Sequence, residues 1–298
     1  MVTELTGVIA FAVTPFEDDR SLAMGALGPY LEDLARHPLD AVVVGGAVGE
    51  VFTLAVDEYD EMIACAGDAV GGATSLVVGI TAAHGLAEGR ARKAAEAGAS
   101  ALLLHSPYGA DWTPSTLVAT ARALADASGL PILVFSTRSR PLDEAHLEKC
   151  AAEDAVVGVK DETHDPASFA RHAERFGSDL LMINGSAERF AWEYRRAGAV
   201  AMTSGIANLV PSATLALWEA CRREDEAEAT RLWREVLEPL DRIRSRTPSH
   251  HVSVLKAGLA GRGMMSPGVR PPLEPLDDRE REELAGILDG LTEEVVAR

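Results

Sequence analysis

Short apolar runs rich in Val, Ile and Leu alternate along this chain with longer amphipathic stretches. A short apolar run bounded by polar residues is typical of a buried strand, whereas a longer stretch with apolar positions three and four residues apart is typical of a helix. The runs predict strands at residues 7–14, 41–45, 75–80, 99–104, 131–135, 156–160, 180–184 and 199–204.

Helical segments with recognisable ends lie between and after these strands. Acidic residues near the start of a helix and glycine just past its end are common boundary signals. Asp57 and Glu58 open one such segment, and Gly98, Gly129 and Gly198 follow three others. The predicted helices occupy residues 53–70, 86–97, 115–127 and 188–197, and then 212–223, 225–245, 249–260 and 277–296 after the last strand.

The alternation of strand and helix, repeated eight times, predicts an α/β fold of the (β/α)8 TIM barrel type. We expect the barrel over residues 1–224 and a C-terminal helical extension, packed on the barrel, over residues 225–298. An open doubly wound sheet would usually carry a glycine-rich phosphate-binding turn after its first strand. Residues 15–19 (PFEDD) follow the first strand instead, and the turn at 45–50 (GGAVGE) lacks GxGxxG spacing.

Composition excludes several kinds of protein. A formal net charge of −18 over 298 residues argues against a nucleic-acid partner, because phosphate contacts need clustered Lys and Arg. No apolar run is long enough to span a bilayer, and the first residues lack a signal-peptide pattern, so we expect a cytoplasmic protein. Cys65, Cys150 and Cys221 are widely spaced and odd in number, which favours buried thiols over disulfides or a metal site.

Residues that could take part in catalysis or binding lie at the predicted strand ends, where barrels of this kind have their active sites. These rim positions include Thr14, residues 45–50, Thr81, Ser106, Pro107, Tyr108, residues 136–140, Lys160, Asn184, Gly185, Ser186, Thr203, Ser204 and Gly205. They hold one lysine and no cluster of His, Cys or Asp suited to a metal. We therefore predict organic covalent catalysis, with no metal and no cofactor.

Lys160 is the central candidate, because it follows the apolar run at residues 155–159. Apolar surroundings disfavour a charged amine, and a neutral amine can attack a ketone. An ion pair with Asp161 or Glu162 is the alternative. Arg138 and Arg140 could hold a substrate carboxylate through paired hydrogen bonds, or could be solvated loop charges. A lysine with a nearby arginine suggests a 2-oxo acid ligand.

Six segments, spread through the whole predicted barrel, resemble the superfamily of dihydrodipicolinate synthase and N-acetylneuraminate lyase. This superfamily consists of class I aldolase-like enzymes on a (β/α)8 barrel with C-terminal helices. The likeness is nearest to its 5-dehydro-4-deoxyglucarate dehydratase branch, through GEVFTLAVDEY, VSVLKAGL and PGVRPPLEPL. The segments are GVIAFAVTPF, GAVGEVFTLAVDEY, AGASALLLHSPY, residues 131–140, VVGVKDETHD and AGAVAMTSGIANLVP.

The resemblance assigns roles to individual positions. It implies that Lys160 is the Schiff-base lysine and that Arg140 binds the substrate carboxylate. Gly49 and Glu50 match the end of the family's glycine-rich turn, whose backbone N–H groups commonly receive the substrate carboxylate, and Val48 in the same turn is expected to contact the substrate. Phe135, Tyr108 and Gly185 complete the expected substrate-binding set. Lys256, in the extension, is expected to be structural, and the resemblance implies a homodimer or homotetramer.

The chain also departs from the family pattern. The usual tyrosine at the end of the fifth strand is Phe135, whose ring can neither donate nor accept a proton. Ala47 and Val48 replace threonines of the glycine-rich turn, and Gly109 stands where the synthase branch has a second tyrosine. Synthase-type condensation is therefore the less favoured of the activities that the family offers.

Another rim group must then carry the proton. The candidates are Tyr108, Ser136, Glu162, His164, Thr203 and Ser204. Thr203 and Ser204 are the first choice, since the dehydratase branch has a hydroxyl pair there; hydroxyls that cap the following segment are the alternative. We expect His105 and His164 to be ordinary polar contacts. The leading prediction is a Schiff-base lyase acting on pyruvate or a sugar-derived 2-oxo acid, and the rival is a repurposed barrel that binds such an acid without efficient turnover.

Overall fold

A closed barrel of parallel strands forms the centre of the molecule. The computed structural model describes residues 5–81, 86–106 and 111–291. Within these residues each strand pairs with the next one along the chain, and the first pairs with the eighth. The predicted (β/α)8 barrel is thereby confirmed. The strands are β1 (Val8–Phe11), β2 (Ala41–Val44), β3 (Ser75–Thr81), β4 (Ala101–His105), β5 (Ile132–Thr137), β6 (Val156–Glu162), β7 (Leu181–Asn184) and β8 (Ala201–Ser204).

Helices follow the strands and pack on the outward side of the barrel. They are α1 (Met24–Ala35), α2 (Val56–Val70), α3 (Ala87–Glu96), α4 (Pro114–Ser128), α5 (Glu144–Ala151), α6 (Pro166–Phe176), α7 (Ala191–Arg196) and α8 (Pro211–Arg222). The C-terminal extension contains α9 (Glu226–Arg231), α10 (Glu238–Arg244), α11 (His250–Gly261) and α12 (Asp278–Gly290). No helix in the described ranges is both long enough and apolar enough to cross a membrane.

The strands are buried on both faces, and this explains why they read as unbroken apolar runs. In β2, Ala41 and Val43 face the barrel interior, whereas Val42 and Val44 pack with the surrounding helices. Side chains alternate between the two faces of a strand. The sequence therefore located β2 readily, but an apolar run does not reveal which residues face the interior.

Strand β6 differs from its prediction, because it continues past Lys160 for two polar residues. Asp161 and Glu162 pair with Ser136 and Thr137 of β5, so the sheet extends beyond the apolar run. The register of the two strands is irregular at their start and places Phe135 opposite Lys160. The candidate amine is consequently inside the sheet rather than at its last residue.

The helix predicted over residues 225–245 is interrupted. A π-helical segment, Leu232–Leu237, separates α9 from α10. Pro239, the second residue of α10, has no N–H group to donate to the preceding turn, which disfavours continuous α-helix there. The helix predicted over 53–70 also begins later, at Val56, after a short 3-10 turn.

A fully buried ion pair joins the extension to the barrel. Lys256 Nζ of α11 lies 2.6 Å from Glu50 Oε1, and neither side chain has any solvent exposure. Lys256 also donates to Gly268 O at 2.7 Å, and the Arg270 backbone N–H donates to Glu50 Oε2 at 2.8 Å. The expected structural role of Lys256 agrees with these contacts.

Replacement of Lys256 by methionine should lower the free energy of unfolding by about 3–5 kcal/mol, because the Glu50 carboxylate would then be buried without a countercharge. The double variant Glu50→Gln, Lys256→Met should recover part of this loss, since neither charge remains. Denaturant unfolding measures both effects, with the exposed Lys149→Met as control. Strictly additive losses in the double variant would contradict the proposed energetic coupling.

Candidate active site

Lys160 lies in a largely apolar setting at the C-terminal rim of the barrel. It is only 5% exposed, and its Nζ is 3.7 Å from the centre of the Phe135 ring and 5.3 Å from that of Phe11. The Glu162 carboxylate approaches the same amine, with 2.6 Å between Nζ and Oε2. The amine therefore contacts aromatic faces, which favour a cation, together with one carboxylate.

Glu162 reaches the amine because it stands two residues beyond Lys160 on the same strand and so shares its face. Of the two acidic neighbours that the sequence offered as ion-pair partners, Glu162 is the one that contacts the amine. Its side chain is 43% exposed, whereas that of Lys160 is 7% exposed. The Glu162 carboxylate thus lies between the buried Lys160 amine and solvent.

Asp161 points to the opposite face and anchors the end of β6. Its Oδ1 accepts hydrogen bonds from the Tyr194 hydroxyl at 2.9 Å, the Thr163 hydroxyl at 2.7 Å and the Thr163 N–H at 3.0 Å. Burial raises the pKa of Tyr194 to about 12, so the hydroxyl stays protonated and can donate. Sequence reasoning missed Tyr194 as a supporting residue, and its separation of 33 residues from Asp161 leaves no local signal.

Gly185 gives the lysine side chain its space. A Cβ atom at this position would lie 2.9 Å from Lys160 Cγ and 2.7 Å from Asp161 O. Its N–H group donates to Asp161 O at 2.6 Å. The predicted substrate-binding glycine is thus also a packing neighbour of the candidate nucleophile.

The two candidate hydroxyls at the end of β8 point to different faces. Thr203 lies on the same face as the interior residue Ala201, and its hydroxyl donates to Asn184 O at 3.1 Å. Ser204 lies on the helix-facing side, where its hydroxyl donates to the Glu188 carboxylate and accepts from the Ala207 N–H at 2.8 Å. Thr203 therefore remains beside the barrel interior, and Ser204 has the capping contacts that the sequence left as its alternative.

The glycine-rich turn offers backbone donors, although not from Gly49. The Gly49 N–H donates within the turn, to Gly46 O at 3.0 Å, and Gly49 O accepts from the Thr14 hydroxyl at 2.7 Å. Among the described residues, no acceptor is hydrogen-bonded to the N–H groups of Ala47 and Val48. These two groups could receive an anionic ligand.

Arg140 is held in a turn after β5. Its backbone exchanges hydrogen bonds with that of Thr137, at 3.1 and 3.2 Å. Its Nε lies 3.1 Å from Asp111 Oδ1, and the arginine side chain is 31% exposed. Tyr108, the remaining predicted binding residue, lies outside the described residues.

The candidate histidines make structural contacts. His105 is 3% exposed, with Nε2 at 3.2 Å from Gly45 O, and burial lowers its pKa to about 4. His164 stacks on Phe190 with 5.0 Å between ring centres. In the part of the chain that the structure describes, no group of three or more His, Cys, Asp or Glu side chains is arranged to hold a metal ion.

A (β/α)8 barrel with a buried rim lysine beside aromatic rings and a carboxylate has the features of a class I aldolase-like enzyme. The chain belongs to the dihydrodipicolinate synthetase family, whose sequence profile matches residues 4–291. It is an enzyme of the class I aldolase-like type.

Two related proteins indicate which branch of the family this chain resembles. A protein of Methylobacterium radiotolerans named "Probable 5-dehydro-4-deoxyglucarate dehydratase" is 32% identical over 289 residues, covering 95% of this chain and 94% of the relative. A protein of the same name from Saccharopolyspora erythraea is 30% identical, covering 96% of this chain and 94% of the relative. The nearest likeness expected from the sequence is thus confirmed.

Solved structures agree on the fold. A dihydrodipicolinate synthase from Bacillus clausii superposes with a TM-score of 0.88 at 25% identity, covering 97% of this chain and 99% of the other. A sialic acid aldolase from Ruminococcus gnavus, a catalytic lysine mutant, gives a TM-score of 0.89 at 16% identity, covering 97% and 96%. The same barrel therefore occurs in both proteins.

Substitution of Gly185 by alanine should displace the Lys160 side chain, because the added Cβ would overlap with Lys160 Cγ and Asp161 O. We expect a loss of about 1–3 kcal/mol in the free energy of unfolding, together with slower trapping of a ketone on Lys160. Denaturant unfolding and borohydride trapping with pyruvate measure the two effects. Gly286→Ala is the control, because it adds a Cβ in open space; equal behaviour of both variants would contradict the steric explanation.

Burial of neutral His105 should make stability depend on pH. Its pKa is about 4 when folded and about 6.5 when unfolded, so the unfolded chain binds a proton first as the pH falls. The free energy of unfolding should fall by about 2 kcal/mol from this residue between pH 7 and pH 5. Denaturant unfolding of His105→Gln, compared with His37→Gln, should show a smaller pH-dependent loss only for His105→Gln; an unchanged loss would rule out this contribution.

Proposed function

We propose that this protein is a Schiff-base lyase in which Lys160 forms an imine with the ketone of a 2-oxo acid. The observation that carries the proposal is the placement of the amine, which is buried at the rim against Phe135 and paired with Glu162. An amine in such a setting can act as a nucleophile once its proton is removed. A protonated imine then draws electrons from the adjacent carbon and permits loss of a proton or of a leaving group.

The ligand is a sugar-derived 2-oxo acid, with pyruvate as its smallest representative. The N–H groups of Ala47 and Val48, which have no acceptor among the described residues, and the guanidinium of Arg140 supply donors for the substrate carboxylate. Phe135 forms an apolar wall beside the imine, and Thr203 presents a hydroxyl near the interior. The dehydratase names of relatives at about 30% identity favour loss of water over condensation.

A binding protein without efficient turnover is the second candidate. Its support is that Phe135, Ala47 and Val48 carry no hydroxyl group that could move a proton. Such a protein would still form the imine and would release no product. By resemblance to its family, we propose that the chain acts as a homodimer or homotetramer.

Incubation with pyruvate and borohydride, followed by intact mass measurement, tests the imine. A single reduced adduct is expected on the wild type and on the exposed control Lys149→Met, and none on Lys160→Met, because Lys160 is the buried amine at the rim of the barrel, whereas Lys256 has no solvent exposure. An adduct that persists in Lys160→Met would refute the proposal. Product formation from 5-dehydro-4-deoxyglucarate then distinguishes the enzyme from the binding protein.

A further inference from the structure

Among the residues that the structure describes, Glu162 is the neighbour placed to exchange a proton with the Lys160 amine. Phe135 and Phe11 present rings to Nζ and have no acidic or basic atoms. Glu162 Oε2, at 2.6 Å, is within direct transfer distance. Among the described residues, Glu162 is the acceptor that hydrogen-bonds to this amine.

Three other candidate hydroxyls among the described rim residues have hydrogen-bond partners of their own. The Thr203 hydroxyl donates to Asn184 O, and the Ser204 hydroxyl is on the outer face with Glu188. The Ser136 hydroxyl accepts the Leu142 N–H at 3.0 Å. Of these four described groups, Glu162 is the one in contact with the Lys160 amine.

The position of Glu162 also suits a group that must be protonated and deprotonated during the reaction. The Glu162 backbone belongs to the paired end of β6, where it lies opposite Thr137 of β5. Its partial exposure of 43% lets it exchange protons with water, which the 7% exposed amine does much less readily.

We propose that Glu162 is a catalytic residue that carries the proton during imine formation. The inference rests on the proposed function and adds the proton carrier to it. Glu162 takes a proton from the Lys160 ammonium, and the neutral amine forms a C–N bond to the ketone carbon while the carbonyl π electrons move to oxygen. A proton passes from nitrogen to that oxygen and gives a neutral carbinolamine.

Dehydration completes the step. Protonated Glu162 donates its proton to the carbinolamine hydroxyl, the C–O bond breaks, and the nitrogen lone pair forms the C=N bond as water leaves. The three protons of the ammonium are then accounted for, with one on the iminium nitrogen and two in the released water. Glu162 returns to its carboxylate form, so no external co-reactant is needed.

A carboxylate that only paired with the ammonium would behave differently. It would stabilise the charged amine and slow its attack, so removing it would leave the rate unchanged or raise it. A proton carrier predicts the opposite, because the amine would lose the group that takes its proton. The sign of the change in rate therefore separates the two roles.

The test compares the rate constant of pyruvate adduct formation, by borohydride quench at saturating pyruvate, among variants of the full chain. Glu162→Gln should lower it by about 10²–10⁴-fold, because the amide still accepts a hydrogen bond from Lys160 and cannot take its proton. Glu162→Asp should retain more activity than Glu162→Gln. The exposed Glu174→Gln, on α6, serves as the matched control with unchanged rate.

Chemical rescue provides a second measurement. Formate should partly restore the rate of Glu162→Ala and should leave wild type and Glu174→Gln unaffected. A rate for Glu162→Gln within a few-fold of wild type, or above it, would overturn the proposal, as would a lack of rescue in folded Glu162→Ala. Absence of any adduct in the wild type would instead refute the imine itself, so the two failures are distinguishable.

Discussion

The proposed chemistry at the rim depends on strand β6 continuing past Lys160 to Glu162. This continuation places three successive side chains by strict alternation: Lys160 and Glu162 face the interior, and Asp161 faces outward. Tyr194 and Thr163 fix the outward-facing carboxylate of Asp161. This also fixes the orientation of Lys160 and Glu162, which lie on either side of Asp161 in the same strand. If the strand ended at Lys160, nothing would hold the carboxylate against the amine.

Phe135 and Glu162 contribute different chemical properties next to the Lys160 amine. Phe135 retains an aromatic face against Nζ and offers no proton, whereas Glu162 offers a carboxylate and is open to water. Burial is therefore unequal within the pair, because the proposed nucleophile Lys160 is enclosed and the proposed proton carrier Glu162 is accessible to water. Such a division permits an apolar reaction site and proton exchange with solvent at the same time.

The sequence predicted the barrel because strands buried on both faces are continuous apolar runs, as in β2 and β4. It also predicted Lys160 at the rim, since a polar residue directly after such a run is conspicuous. It could not predict the polar end of β6, because Asp161 and Glu162 join the sheet only through their pairing with β5.

The orientation of Thr203 and Ser204 was equally inaccessible to sequence reasoning. Consecutive residues of a strand must point to opposite faces, but the register of β8 decides which of the two points inward. The contact between Asp161 and Tyr194 joins distant segments, and only the closed barrel brings them together.

The C-terminal extension contacts the turn that borders the candidate site. Glu50 has a left-handed backbone conformation, with φ of 54°, directly after the turn that presents the Ala47 and Val48 N–H groups. A non-glycine residue adopts this conformation at a cost, and persists in it where surrounding contacts hold it. Lys256 and Arg270, both from the extension, supply those contacts at the Glu50 carboxylate. The direction of the donors proposed to bind the substrate carboxylate therefore depends on how the extension docks.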